Sequence, residues 1–166
     1  MTSEPRWLTD AEQRTWQAYR RMQLLLGAQV SRDLNADSGL SDADYDVLSH
    51  LGLSDRNRCR ISELADRMLW SRSRLSHHLT RMQQRGLVAR EGCASDARCA
   101  EVVLTADGLR TLEAAAPPHV DSVRRNFIDL LTPEQQAVFA EIGEVVVRHL
   151  SAGAEPRAKK PVRGTA

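Results

Sequence analysis

The sequence is short of most features that mark a membrane, secreted or catalytic protein. No stretch approaches the ~18 consecutive apolar residues that a membrane-spanning helix needs. Residues 1–10 are mixed and polar, without the apolar segment of a signal peptide. Cysteine occurs only as Cys59, Cys93 and Cys99, an odd number with no secretory signal. That pattern argues against a disulfide framework and for a reduced, cytoplasmic compartment. There is no nucleophile elbow, glycine-rich phosphate loop or metal-ligand spacing, so no catalysis, metal or cofactor is expected. Excess charge of either sign is also missing. The 23 Lys and Arg face 22 Asp and Glu, a formal +1 that by itself argues against a nucleic-acid binder.

What is present is a chain of 166 residues, 42% hydrophobic and 27% charged, enough for one ordinary soluble domain. The charge is segregated along it. Residues 1–55 carry net −4, residues 56–98 net +6, residues 99–154 net −4 and residues 155–166 net +3. All ten cations of the +6 block are arginine, the side chain best suited to bidentate contact with phosphate and guanine. A charged block also serves as an ordinary solvated face, so its placement on the fold decides between the two.

A long amphipathic helix is predicted from the Thr9 cap, with Glu12 completing a capping box and Trp16, Tyr19, Met22, Leu26, Val30 and Leu34 on one face. Ser41, with Asp44 three residues on, caps a second helix whose inner face is Tyr45, Leu48 and Leu51. The run from Ser54 to Arg60 reads as a polar turn. A short third helix covers 62–68. Ser71 caps a fourth that stops at Gly86, with Trp70 and Leu75 at the spacing of a hydrophobic staple. Residues 87–91 and 100–105 read as strands joined by the polar loop Gly92–Cys99. The helical period from Leu109 to Leu130 crosses Pro117-Pro118, where a kink or break is expected. A last helix starts at Pro133 after the Thr132 cap, carrying Phe139, Ile142, Val146 and Leu150 on one face.

Two short helices followed by a two-stranded hairpin form the layout of a winged helix-turn-helix, whose second helix enters the DNA major groove. At 100° per residue, Leu75, Leu79 and Met82 cluster on one side of the fourth helix. Ser73, Arg74, Ser76, His77, Thr80 and Arg81 lie opposite; none is acidic and all can donate a hydrogen bond. The candidate DNA contacts are therefore Ser71, Arg72, Ser73, Arg74, Ser76, His77, Thr80 and Arg81, with Arg90, Asp96 and Arg98 in the hairpin. Arg98 suits the minor groove, and Asp96 suits the task of aiming it. His78 falls at the edge of the apolar stripe, as a packing residue. Adjacent His77 and His78 diverge by 100°, so they do not chelate a metal from one face. The apolar stripes of the first and last helices exceed what a winged-helix core can cover and mark a homodimer interface.

Taken in order, ISELADRMLWSRSRLSHHLTRMQQRGLVARE and SDARCAEVVLTADG resemble the multiple-antibiotic-resistance regulator (MarR) family, with Asp96 and Arg98 matching its Asp-x-Arg wing signature. Cys99-Ala100 departs from the pattern, where a glycine is common. The resemblance implies a mainly α fold over 1–150. Residues 9–37 and 106–150 would dimerise, 41–105 would form the winged helix-turn-helix lobe, 71–85 the recognition helix and 87–105 the wing. It implies an obligate homodimer on an inverted-repeat operator in double-stranded DNA, with Ser73, Ser76 and His77 reading bases. It also implies repression relieved by a small aromatic or phenolic effector, for which Trp16, Tyr19, Tyr45 and His50 are candidates. Residues 151–166 are expected to be a disordered basic tail. Two alternatives stay open: a redox switch through Cys93 and Cys99, and a winged-helix module that binds protein.

Overall fold

Most helices begin where a side chain supplies the missing acceptor for their first amides. The computed structural model describes residues 5–93 and 96–152, the side chains of Cys93 and residues 96–99 excepted. The chain divides into two compact units, Met1–Asn126 and Phe127–Ala166. Helix α1 spans Asp10–Ser38 behind the Thr9–Glu12 capping box, and α2 spans Asp42–Gly52 behind a Ser41–Asp44 box. Helix α3 is Ile61–Arg67, and α4 is Arg72–Gln84, where Ser71 accepts from the Arg74 amide. Gly86, with φ 73°, turns the chain out of α4 in a conformation that costs glycine little.

The segment 54–60, expected as a polar turn, contains a 3₁₀ turn at Asp55–Asn57 and a strand, β1, at Arg58–Arg60. Strand β2 is Val88–Cys93 and β3 is Asp96–Leu104. The hairpin arms are thus longer, and their connection shorter, than the loop expected at 92–99. The antiparallel order is β1-β3-β2, with Cys59 opposite Val102 and Arg90 also opposite Val102 on the other side. Cys59, given no role from sequence, is a buried core residue at 6% exposure.

Leu40, Leu48, Leu51, Leu64, Leu75, Leu79 and Met82 are fully buried in one cluster with Val102. Burying each such side chain contributes about 1.5–3 kcal/mol, which fixes α4 by its inner stripe and leaves its other face to solvent. Helix α5, Ala106–Asn126, runs unbroken through Pro117 and Pro118. The expected break is absent because packing along α5 outweighs the two lost amide donors: Ala115 and Ser122, on either side of the prolines, are both buried. Ser122 donates to Asp33 of α1 at 2.6 Å, and Asn126 reaches the same carboxylate at 3.2 Å. At its other end, α5 approaches the chain leaving α4 so closely that a Cβ at Gly108 would collide with the Leu87 carbonyl. Thr105 caps this junction, donating to Gly86 O at 2.6 Å and accepting from Gly108 N at 2.9 Å.

The second unit has a different character. Helix α5 ends at Asn126, short of the helix expected to reach Leu130, which instead lies in a 3₁₀ turn at Ile128–Leu130. Helix α6, Pro133–Ala152, starts where Thr132 Oγ1 accepts from the Gln135 amide. Among the described residues, none in α6 is buried.

Candidate nucleic-acid interface

The residues singled out on α4 are brought together. Arg72, Ser73, Arg74, Ser76, His77, Thr80 and Arg81 are all exposed, while Leu75, His78, Leu79 and Met82 are buried. Several of the exposed groups are held in place. The Arg74 guanidinium lies over the Trp70 ring, 4.0 Å from its centroid. Trp70, expected as a staple, thus also seats an arginine four residues on. Thr80 Oγ1 donates to the Ser76 carbonyl at 3.1 Å.

Arg90, expected to contact DNA from the wing, reaches back to α4. Its Nη2 donates to Ser76 O at 2.6 Å and Thr80 Oγ1 at 3.1 Å, locking strand β2 to α4. Asp96 and Arg98, with Cys93 and Cys99, have side chains outside the described residues, as does the tail from residue 153. On the backbone, Cys93 pairs with Asp96 across a register irregularity at Gly92/Cys93.

The arginine-rich block divides in two. Arg58 is 3.2 Å from Glu91 and 3.5 Å from Glu101, Arg67 is 2.6 Å from Glu63, and Arg85 is 2.7 Å from Asp44. Arg72, Arg74, Arg81 and Arg90 have no acidic partner among the described residues. Arg56 and Arg60, before α3, likewise lack one; of these six described arginines without an acidic partner, four lie on α4 and the strand beside it.

Behind this face lies a buried polar cluster that local sequence does not reveal. Asp44, 5% exposed, caps α2 through Ser41, takes Arg85 from the end of α4, and faces His78 Nε2 at 3.1 Å. Burial alone would raise the Asp44 pKa, but hydrogen bonds from Arg85 and Ser41 outweigh it and hold the carboxyl below its ordinary range.

The effector candidates fall in two places. Trp16 and Tyr19 stack at 5.7 Å on α1, and Trp16 lines an open groove of about 820 Å³ with Gln17, Arg20, Leu24 and Asp42. Tyr45 packs on His119 of α5 at 4.3 Å, and His50 Nδ1 donates to its own helix at Asp46 O, 2.8 Å away. The four do not meet at one site in this chain.

The fold and this face define a winged helix-turn-helix protein. The profile of the MarR family matches residues 38–98. The chain is 31% identical to the transcriptional regulator HosA of Escherichia coli over 125 residues, 75% of this chain and 90% of that one. It also resembles two MarR family regulators of Streptomyces coelicolor. AbsC is 44% identical, with a TM-score of 0.85 over 89% of this chain and 99% of that one. Sco3205, solved in complex with DNA, is 41% identical, with a TM-score of 0.86 over 96% and 98%. The chain belongs to the MarR family of winged-helix, DNA-binding transcriptional regulators, and it is not an enzyme.

Proposed function

We propose that this regulator is a repressor that binds a pseudo-palindromic operator as a homodimer, laying α4 in the major groove. The observation that carries this reading is the exposed face of α4: Ser73, Ser76 and His77 project outward among Arg72, Arg74 and Arg81 with no acidic residue between them. Ser73, Ser76 and His77 read base edges, the arginines grip phosphates, and Arg98 of the wing enters the minor groove. The relative Sco3205 was solved with DNA, which supports the same use here.

Dimerisation through residues 9–37 and 106–150 is supported by the apolar side chains those helices leave in solvent. On α6, Ile142 is 57% exposed and Leu150 64%; on α1, Leu24 is 72% exposed. Two-fold pairing sets half-sites about 10 bp, one helical turn, apart. A small aromatic or phenolic effector, bound near Trp16 and Tyr19 or near Tyr45 and His50, releases the operator by changing the spacing of the two α4 helices. Selection from a random duplex pool tests the core of this reading. An inverted repeat at that spacing is expected; recovery of unrelated sequences, or of none, overturns it.

A further inference from the structure

His78 sits on the buried side of α4, yet it is connected to the exposed side. Only 6% of the residue is exposed, and its ring meets Trp70 edge-on at 5.5 Å. Arg81, one turn further along, has Nη2 3.0 Å from His78 Nδ1. A guanidinium only donates, so Nδ1 must accept, and the ring is neutral with its proton on Nε2. That Nε2 is fully buried and points at α2. It is 3.1 Å from Asp44 Oδ1, a close approach without the alignment of a hydrogen bond.

We propose that His78 is a positioning residue for DNA binding: its bare Nδ1 holds the Arg81 guanidinium at one fixed place on the outer face of α4, and a proton taken up there releases it. The inference rests on the DNA-binding reading of α4. Asp44 from α2 and Arg81 from α4 are the charged groups that face the imidazole, with Arg85 bonded to the far oxygen of Asp44. Burial is the main force keeping the proton off and the Arg81 charge adds to it, against the pull of Asp44, so the ring titrates below the ordinary histidine range. As pH falls, Arg81 loses its acceptor and becomes a free, rotating side chain.

The test compares the full-length chain with His78→Asn, whose amide oxygen can accept from Arg81 in place of Nδ1 but does not titrate. Duplex affinity is measured by anisotropy between about pH 5 and 8, at several salt concentrations. Each affinity is taken relative to the same protein's value near neutrality, because His78→Asn also changes the packing against Trp70. In acid the wild type should fall about three- to tenfold behind His78→Asn, with a salt slope shallower by about 0.9 for each phosphate that Arg81 ceases to neutralise. The gap should vanish when both carry Arg81→Ala. Binding with superimposed pH profiles, or a gap that survives Arg81→Ala, overturns this inference alone. Absence of duplex binding in every variant overturns the DNA-binding reading and this inference with it. Imidazole nitrogen NMR on the wild-type chain gives a second, mutation-free test. Nδ1 should be unprotonated at neutral pH, and a proton found there overturns the assignment.

Discussion

Helices α4 and α6 carry the same kind of amphipathic pattern and meet opposite fates. In α4 the apolar stripe is spent inside the chain: Leu75, Leu79 and Met82 are fully buried, and the polar face is left for something else. In α6 the apolar residues remain in solvent, with Phe139 the least exposed of its large side chains at 41%. One helix therefore presents a charged, hydrogen-bonding surface and the other a hydrophobic one. Surfaces so different suit the two partners proposed for them, DNA for the first and a second copy of the chain for the second.

The sharpest way to break this contrast is to charge the apolar side. Ile142→Asp with Val146→Asp should yield monomers by analytical ultracentrifugation. Affinity for an inverted repeat should fall about 10²–10⁴-fold as two-site avidity disappears, while a single α4 still engages each half-site. A dimer that survives both charges would place the interface elsewhere.

A smaller effect is expected at the junction between α4 and α5. Gly108→Ala puts a methyl against the Leu87 carbonyl and should destabilise the chain by about 1–3 kcal/mol in urea unfolding. This holds despite the higher helix propensity of alanine, and a gain in stability would contradict the close approach. Leu69, by contrast, is 92% exposed with φ 54° in the turn before α4. Leu69→Gly should stabilise by about 1–2 kcal/mol, the usual cost of a left-handed side chain.

The pH dependence of stability has a defined sign. His78 binds fewer protons folded than unfolded, so its contribution is present above the ordinary histidine range, about 6.5, and is lost as pH falls through its depressed folded value. Asp44, also depressed, follows at lower pH: its contribution is present above the ordinary aspartate range and lost as pH falls through its own folded value. The margin of wild type over His78→Asn in urea midpoint should be widest at neutral pH and shrink as pH falls.

Features encoded within one helical turn were legible in the sequence. The caps Thr9, Ser41, Ser71 and Thr132 form as their spacing predicts, and the inner stripe of α4 is the one expected. Strand β1 was not legible, because Cys59 is the lone apolar residue between two arginines and its partner Val102 lies far along the chain. The same distance hides the Asp44–Arg85 pair and the return of Arg90 to Ser76, which no local periodicity signals. Pro117-Pro118 misleads for the converse reason: a strong local rule is overridden by packing on either side of it.

The central claim, that the acid-free arginine face of α4 is the DNA surface, is tested most directly by the salt dependence of duplex binding. Wild type should lose affinity steeply as salt rises. A variant carrying Arg72→Ala, Arg74→Ala and Arg81→Ala should give a slope shallower by roughly five, the counterions released by three phosphate contacts in each of two subunits. A wild-type response that is flat, or a slope unchanged by removing all three arginines, would contradict it.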